Sequence, residues 1–493
     1  MLSITLRPRC SAAVLAAVLL AACGGGNMAG PTPPVKLVFT VQPRNATAAA
    51  AIPTVYVALQ DAPGNTVASA SNAVTVALGT NPGGGTLSGT TTTNAVNGAA
   101  GFADLRVDRL GSGYTLVATS GTLTGATSAP FDIQLGRVPV SADFYQTCGV
   151  TPAGAPYCWG DNTDGELGDG TTTNRTSPVA VAGGLSFAAV SAGLYHTCGV
   201  TLVGAAYCWG SNTNGQLGDG TTTSRTSPVA VGGGLSFAAV SAGGAHTCGV
   251  TLAGAADCWG DNVVGEIGDG TATTRLSPVA VGGGLTFVAV SAGQDFTCGV
   301  TLAGAAYCWG HNSGGELGDG TMTNRLSPVA VGGGLRFAAV TTGATHSCGV
   351  TPAGTAYCWG DNLHGQLGDG TTTTRTSPVA VGGGLIFAAL STGQYDTCGV
   401  TVGGTAYCWG DNTYGELGDG TTTDRLSPVA VGGGLSFTTV SAGIYHTCGA
   451  TLAGAAYCWG YNTNGQLGDG TTTNRLSPVA VGGGLSFAAA AVE

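Results

Sequence analysis

Residues 151–170 read TPAGAPYCWGDNTDGELGDG, and this stretch belongs to a fifty-residue unit that recurs seven times without insertion or deletion. Its Cys-Trp-Gly triplet marks every copy, beginning at Cys158, Cys208, Cys258, Cys308, Cys358, Cys408 and Cys458. A fixed period of this length is typical of repeat architectures, in which each copy forms one supersecondary unit. The repeat therefore decides the fold.

A β-hairpin is the clearest element inside each copy. Pro152-Ala-Gly154 suits a three-residue hairpin loop, because Pro fits its first position and Gly its left-handed one. The register that closes Thr151 against Ala155 sets the two cysteines of the copy opposite each other. Cys148 then faces Cys158 at a non-hydrogen-bonded site, where side chains approach closely enough for a disulfide. We predict seven such bonds: Cys148–Cys158, Cys198–Cys208, Cys248–Cys258, Cys298–Cys308, Cys348–Cys358, Cys398–Cys408 and Cys448–Cys458.

The rest of the repeat supplies two more strands and a buried face. The same register puts Tyr157 over Gly149 and predicts that Trp159 lies in a core between sheets. Residues 187–193 form a strand of small side chains, which suits crowding around an axis. Residues 175–181 carry a Pro, which belongs on an edge strand. Four strands from a small-residue inner strand to a Pro-bearing edge make a propeller blade, and seven repeats make seven blades.

The motif Cys-Trp-Gly-Asp-Asn-x-x-Gly-[Glu/Gln]-Leu-Gly-Asp-Gly, followed by Ser-Pro and Ser-Ala-Gly-x-x-His-Thr-Cys, resembles the regulator of chromosome condensation repeat family. The resemblance runs from Arg137 to the C-terminus and implies a seven-bladed β-propeller over residues 136–493. The family includes a nucleotide-exchange factor for a small GTPase and a secreted β-lactamase inhibitor. The fold is carried over, but neither activity is. Exchange activity is further disfavoured because seven repeats of equal length leave no inserted wedge.

Ring closure has two candidates. Residues 138–142 match the second half of an inner strand, and residues 485–489 match the first half of another copy. Both fit the inner position of the first blade, and we expect the C-terminal segment to fill it.

The N-terminus predicts export. Residues 1–22 combine basic residues with a short apolar run, as a secretory signal does. The run ends in Leu20-Ala-Ala-Cys23, which resembles the lipobox of bacterial lipoproteins. The resemblance implies lipidation of Cys23, and the following Gly24 implies delivery to the outer membrane, facing the periplasm or the surface. Residues 23–35 read as a flexible tether.

Residues 36–135 predict a small β-sandwich, since several short strands alternate with turn residues. Strand-like runs lie at 36–41, 54–59, 73–78, 101–107 and 114–119. Features such as Asp61…Gly64-Asn65 and Gly113-Tyr-Thr-Leu116 resemble bacterial immunoglobulin-like domains, which implies a stalk. The complete expectation is an all-β chain, a seven-bladed propeller preceded by this sandwich.

Composition excludes several function classes. Charged residues are 8% of the 493, the net charge is −11 and Lys36 is the only lysine, which argues against nucleic acid binding. No Ser/His/Asp set, phosphate loop or metal-spaced Cys/His cluster is present, so we expect no enzyme activity, no cofactor and no metal. The acidic loop departs from calcium-loop spacing, and an ion pair between Asp169 and Arg175 explains it better.

A recurring histidine invites a metal or catalytic interpretation. The equivalent positions read Gln146, His196, His246, Phe296, His346, Asp396 and His446. Since Phe296 interrupts the set, we expect a structural hydrogen-bonding role.

Differences among the copies predict where a partner binds. They collect in the loop between the first and second strands and in the residues after Cys-Trp-Gly, and a four-stranded meander places both loops on one face. The candidate binding residues are Tyr145, Tyr195, Tyr395, Tyr445, Asp161, Asp261, Asp361 and Asp411. We expect a lipid-anchored scaffold that binds a protein or a glycan and meets the membrane only through its lipid. A purely structural envelope protein is the alternative, and a propeller hydrolase, lyase or exchange factor ranks third.

Overall fold

The computed structural model describes residues 32–44, 46–47, 52–82, 84–107, 111–134 and 140–487. The predicted signal peptide and the lipidation site at Cys23 lie outside these residues. Helical structure in the described part is limited to short 3-10 turns at Gly282–Gly284, Gly332–Gly334, Gly382–Gly384 and Gly432–Gly434. None of the described helical segments has the length and apolar character needed to cross a bilayer.

Each fifty-residue repeat forms one antiparallel sheet of four strands, in sequential order. The inner strands are Val140–Ala142, Phe187–Ala192, Phe237–Ala242, Phe287–Ala292, Ala339–Thr342, Phe387–Thr392 and Phe437–Ala442. The second strands are Gln146–Val150, His196–Thr201, His246–Thr251, Phe296–Thr301, His346–Val350, Asp396–Thr401 and His446–Thr451. Seven such sheets, numbered here as blades 1 to 7 in chain order, confirm the predicted all-β propeller.

The remaining two strands complete each blade. The third strands are Pro156–Gly160, Ala206–Gly210, Ala256–Gly260, Ala306–Gly310, Ala356–Gly360, Ala406–Gly410 and Ala456–Gly460. The outer strands are Arg175–Ala180, Arg225–Ala230, Arg275–Ala280, Arg325–Ala330, Arg375–Ala380, Arg425–Ala430 and Arg475–Ala480. The Pro of each outer strand, Pro178 in blade 1, thus lies on a sheet edge, where its missing N–H costs no ladder hydrogen bond.

The hairpin has the register expected from its turn. Cys148 lies opposite Cys158, and Thr147 lies opposite Trp159. The two cysteine Cα atoms are 4.1 Å apart, the closer of the two antiparallel spacings, and a disulfide joins them. All seven predicted pairs are bonded in the same way.

The core lies between neighbouring blades. Trp209 is fully buried, and its ring centroid is 5.8 Å from that of Phe187. A Cβ on Gly199 would lie only 2.6 Å from Phe187 Cδ1. The expected register is present, since Tyr207 lies opposite Gly199, and the phenylalanine of the inner strand also packs on this glycine. Tyr207 meets the edge of Phe187, at 6.2 Å between centroids.

Both ends of the propeller contribute to ring closure. Val140–Ala142 pairs with the second strand of blade 1 as its inner strand. Phe487 packs on Trp159, with ring centroids 5.7 Å apart, as Phe187 does on the Trp of blade 2. The expectation that the C-terminal segment supplies the inner strand is wrong, since the two segments match different halves of that strand and fit together.

Residues 36–134 fold around a core of their own. Their strands are Lys36–Val41, Ala46–Thr47, Val55–Gln60, Ala73–Leu78, Leu87–Ser88, Thr92–Asn94, Ala99–Phe102, Arg106–Val107, Gly111–Tyr114, Leu116–Thr119, Ala126–Thr127 and Phe131–Gln134. The fully buried Tyr114 and Phe102 belong to this core. The run predicted as one strand at 101–107 is divided, because Ala99–Phe102 and Arg106–Val107 join different sheets. The immunoglobulin-like character stays a prediction.

Candidate functional site

The loop between the third and outer strands is held by a buried asparagine and an ion pair. Asn162 accepts a hydrogen bond from Leu167 N at 2.9 Å and donates to the carbonyl of Thr171 at 3.1 Å. Arg175 contacts Asp169 through Nε and Nη2, at 2.9 and 2.6 Å. Burial alone would raise the pKa of Asp169, but hydrogen bonds from Thr171 and Arg175 hold that pKa below its usual value.

The same ion pair is present in all seven blades. This confirms the ion pair predicted between these two positions. Gly168 completes the loop: its φ is 67°, and an added Cβ would lie 2.7 Å from the indole nitrogen of Trp209. Glycine is required there because the Trp of the next blade packs directly on the loop backbone.

The recurring histidines link each blade to the next. His196 Nε2 lies 2.8 Å from Thr247 Oγ1, and Thr247 donates its own hydroxyl hydrogen to the carbonyl of Gln216 at 2.9 Å. The hydroxyl must therefore accept from the imidazole, so Nε2 carries the proton. Burial lowers the pKa of His196 to about 3 and that of His246 to about 4, so both rings are neutral. Neutral, fully enclosed rings match the structural role expected of them.

The two variable loops of each blade meet on one face of the propeller, called here the loop face. In blade 1, Asp161 N donates to the carbonyl of Tyr145 at 2.8 Å, and in blade 2 Ser211 N donates to that of Tyr195 at 2.8 Å. The equivalent bond recurs in the other five blades. This backbone bond explains why the two sets of variable residues are neighbours.

Six aromatic side chains from blades 6, 7, 1 and 2 form a contiguous group on the loop face, called here the aromatic cluster. Its members are Phe144, Tyr145, Tyr195, Tyr414, Tyr445 and Tyr461. Phe144 lies at its centre, with ring centroids 3.8 Å from Tyr145, 5.8 Å from Tyr195 and 6.0 Å from Tyr445. Tyr195 is 41% exposed and the others are half-buried.

Three of the four predicted tyrosines, Tyr145, Tyr195 and Tyr445, belong to this cluster. Burial, followed by the neighbouring tyrosines, raises the pKa of Tyr145 and Tyr445. Tyr395 lies beside the cluster and stacks on His364 at 4.8 Å.

The four predicted aspartates divide into two groups. Asp161 and Asp411 adjoin the cluster, where each adds to the charge around a tyrosine. Asp261 lies further round the ring, in an acidic neighbourhood with Asp295 and Glu266. Asp361 is tied into its own loop by Gln366 Nε2 at 3.1 Å.

Sequence reasoning missed Tyr414 and His364, which occupy the same loop position in blades 6 and 5. Tyr414 contacts Tyr461 of blade 7 at 4.8 Å, and His364 contacts Asp411 of blade 6 at 3.7 Å. This position therefore reaches across to the next blade. Its variability was visible in the sequence, but the direction of its side chain was not.

A central cavity of about 900 Å³ runs between the inner strands. Small side chains form most of its lining, together with Arg106, Asp143, Gln294 and a ring of hydroxyls that link the blades. Ser191 Oγ, for example, accepts from Ala242 N at 3.0 Å. These hydroxyls link the inner strands of neighbouring blades around the cavity.

Comparison with known proteins supports the fold. Human WBSCR16 superposes with a TM-score of 0.62 at 21% identity, covering 67% of this chain and 95% of that one. Prp20p of Saccharomyces cerevisiae gives 0.61 at 20% identity, covering 69% and 88%. The structure of yeast RCC1 (Prp20) bound to Kap60 gives 0.61 at 18% identity, covering 71% and 86%. No curated protein matches the sequence significantly.

The sequence itself carries the family assignment. The family model described as RCC1-like domain matches residues 157–492, about two thirds of the chain. That range begins in the hairpin of blade 1 and takes in every later repeat, and the match agrees with the seven four-stranded blades. This chain belongs to the RCC1-like domain family.

Proposed function

We propose that this protein is an exported, lipid-anchored binding scaffold that captures a partner on the loop face of its propeller. The observation that carries the proposal is the aromatic cluster, in which side chains from four consecutive blades meet beside Asp161 and Asp411. Tyrosine is favoured at binding interfaces, because it offers a large contact area at a low entropy cost. The flanking carboxylates favour a basic partner.

A protein is the preferred partner. The RCC1-like propeller fold commonly mediates protein interactions. Yeast Prp20 has been solved with Kap60 bound, and its binding to Gsp1p and histones has been studied with its structure. A glycan is the second candidate, since this face has an exposed ring at Tyr195 and, beside Tyr145 and Tyr445, carboxylates that can accept hydrogen bonds from hydroxyls. No catalytic step is proposed, because RCC1-like propellers are generally binding or exchange proteins.

The test removes the predicted tyrosines from the loop face. Mature protein carrying Cys23→Ser is immobilised, and partners are captured from envelope extract and quantified by mass spectrometry. Changing Tyr145, Tyr195, Tyr395 and Tyr445 to Ala should reduce capture by at least about 10-fold, the loss of a few interface anchors. Circular dichroism and thermal melting should confirm that the propeller is folded.

A matched control alters four exposed apolar side chains on the opposite face, in the turns between the second and third strands. These are Leu202, Leu302, Val402 and Leu452, which are 54%, 70%, 74% and 71% exposed. Their replacement by Ala should leave capture unchanged. Loss of capture in this control alone would place the partner on the opposite face, and capture of nothing by the unaltered protein would favour the purely structural alternative.

The anchor is tested separately. Cys23→Ser should release the protein from the membrane fraction, and the unaltered protein should incorporate labelled fatty acid. A variant that remains in the membrane fraction would contradict the lipid anchor without bearing on the loop face.

A further inference from the structure

Blade 6 is distinguished from the other six blades by the combination of residues at four equivalent positions on and beneath the loop face. In blade 2 these positions hold His196, Ser211, Gln216 and Ser224, whereas in blade 6 they hold Asp396, Asp411, Glu416 and Asp424. Blades 1 and 3 have an acid at two of the four positions, Asp161 with Glu166 and Asp261 with Glu266. Only blade 6 has an acid at all four, so carboxylates are concentrated there beyond what the blade itself requires.

Two of these carboxylates are buried with an oxygen that has no hydrogen-bond partner. Asp396 is 2% exposed and Glu416 is 1% exposed. Asp396 Oδ2 and Glu416 Oε1 are without a donor among the described residues. A buried carboxylate oxygen left unpaired is costly, so each of these oxygens has room for a proton or a cation as its missing partner.

Other blades show what the unpaired atom of Glu416 faces. In blade 4, Glu316 Oε1 contacts His311 Nδ1 at 3.2 Å, and in blade 5 Gln366 Nε2 donates to Asp361 at 3.1 Å. Both partners stand at the position that Asp411 occupies in blade 6. The free oxygen of Glu416 is therefore directed at Asp411, a second acceptor. The remaining contact of Glu416, from Tyr414 N at 2.8 Å, uses its other oxygen.

A histidine from blade 5 completes the group. His364 Nδ1 lies 3.7 Å from Asp411 Oδ1 and 3.7 Å from Asp424 Oδ2. The ligand atoms of these three residues all lie within 4.8 Å of one another. Stacking on Tyr395, at 4.8 Å between centroids, orients the imidazole. The arginine nearest in sequence, Arg425, is paired with Asp419 instead.

We propose that the junction of blades 5 and 6 binds one divalent transition-metal ion, Zn²⁺ or Mn²⁺, through His364 Nδ1 and the carboxylates of Asp411 and Asp424. Glu416 and Asp396 are buried behind these ligands. The metal site shares Asp411 with the proposed partner surface, but its test measures metal binding and not partner capture, so each proposal can fail without the other.

The chemistry and the geometry both select this class of ion. An imidazole nitrogen combined with carboxylate oxygens suits Zn²⁺ and Mn²⁺, whereas Ca²⁺ prefers oxygen ligands alone. Ligands about 2.1 Å from a tetrahedral Zn²⁺ are roughly 3.4 Å apart. The two distances from His364 Nδ1, 3.7 Å each, are close to this value, and all three ligand atoms lie within 4.8 Å of one another. The propeller cysteines are in disulfides and do not compete as thiolates.

The test uses the full mature chain with Cys23→Ser, oxidised and freed of metal with a chelator. Titration calorimetry with ZnCl₂, and electron paramagnetic resonance with MnCl₂, should show saturable binding of one ion per chain. His364→Asn and Asp424→Asn should each weaken binding by at least roughly 10-fold. Blade 2 has Asn214 at the position of His364, and blade 1 has Asn174 at the position of Asp424, so the fold accepts both changes.

The matched control is Asp261→Ser, which changes an acid on blade 3 to the residue that blade 2 carries as Ser211. Affinity should stay within about 2-fold of the unaltered protein. Absence of saturable binding would overturn the proposal. So would equal affinity in the His364 and Asp424 variants, or binding of Ca²⁺ that is indifferent to His364→Asn.

Discussion

At the scale of single residues, polar side chains buried between blades hold the ring together. Each contact needs a particular protonation state, because a donor and an acceptor must meet where water is absent. His446 contacts Thr147 at 2.7 Å across the closure, just as His196 contacts Thr247 between blades 2 and 3. These contacts between blades therefore require a neutral imidazole, and lowering the pH should reduce the stability of the propeller.

Replacing His196 with Gln, the residue that blade 1 carries as Gln146, tests this requirement. The pKa of His196 is lowered from 6.5 to about 3, so between these values the unfolded chain binds the proton that the folded chain excludes. The contribution to stability is full above pH 6.5 and is lost as the pH falls. Between pH 7 and pH 5 the unfolding free energy of the unaltered protein should fall by about 2 kcal/mol more than that of the variant. Urea unfolding at both pH values measures the difference, and equal losses would contradict it.

Glu166→Gln provides a control of opposite sign. Burial raises the pKa of Glu166 from 4.5 to about 7, so the folded state binds the extra proton. This contribution is present below pH 4.5 and is lost as the pH rises through 7. The variant should therefore gain stability relative to the unaltered protein as the pH rises, which is the reverse of the histidine effect. Gln216 shows that the fold accepts the amide.

At the scale of the element, the hairpin is the most constrained part of each blade. Its turn, register and disulfide agree with one another: Thr151 N donates to the carbonyl of Ala155 at 2.9 Å, and Cys148 and Cys158 lie at the closer antiparallel spacing. Agreement of turn and pairing is what specifies a register uniquely. The covalent bond adds stability to a pairing that the turn already favours.

Removing one disulfide should cost stability without changing the fold. In the chain-entropy model, closing a loop of this length contributes about 3 kcal/mol, so Cys298→Ala with Cys308→Ala should lower the unfolding free energy by roughly 2–3 kcal/mol. Hydrogen exchange should locate the loss in blade 4. Intact mass before and after reduction checks the premise, since the native exported protein should contain seven bridges. Free propeller thiols in that protein would contradict it.

At the scale of the whole molecule, stability depends on closing the ring. The N-terminal segment contributes Ala142 N, which donates to Ser441 Oγ at 2.9 Å. The C-terminal segment contributes Phe487, whose N–H donates to the carbonyl of Gly454 at 2.8 Å. Every other blade receives both halves of its inner strand from one continuous segment. The boundary between blades 7 and 1 is therefore where the two ends of the propeller must meet.

Truncating Phe487 to Ala should open this boundary. The cavity alone should cost about 3–5 kcal/mol, as for other buried aromatic side chains. Hydrogen exchange should rise in blades 7 and 1 together. Phe337→Ala, which removes the equivalent side chain from the continuous blade 5, is the control and should increase exchange only in blades 4 and 5. Identical exchange patterns at blade 1 in the two variants would show that closure does not depend on the C-terminal segment.

The sequence by itself determined the blade. The fifty-residue period, the hairpin turn and the Pro of the outer strand are local features, so they predicted the strand order, the cysteine pairs and the Asp169–Arg175 ion pair. Comparing copies also indicated the variable positions on the loop face. These predictions succeeded because each depends on residues within one copy, where spacing along the chain determines spacing in the fold.

Only the tertiary structure decided what lies between copies. It showed that Phe187 packs on Gly199 and that both ends of the propeller contribute to the inner strand of blade 1. It also showed that Tyr414 and His364 contact the blades that follow their own. The sequence analysis expected no metal site, because the acids of one loop lack calcium-loop spacing. The group at blades 5 and 6 becomes visible only when His364 meets Asp411. Contacts across a blade boundary depend on how successive sheets pack, and the periodicity of the chain carries no information about that packing.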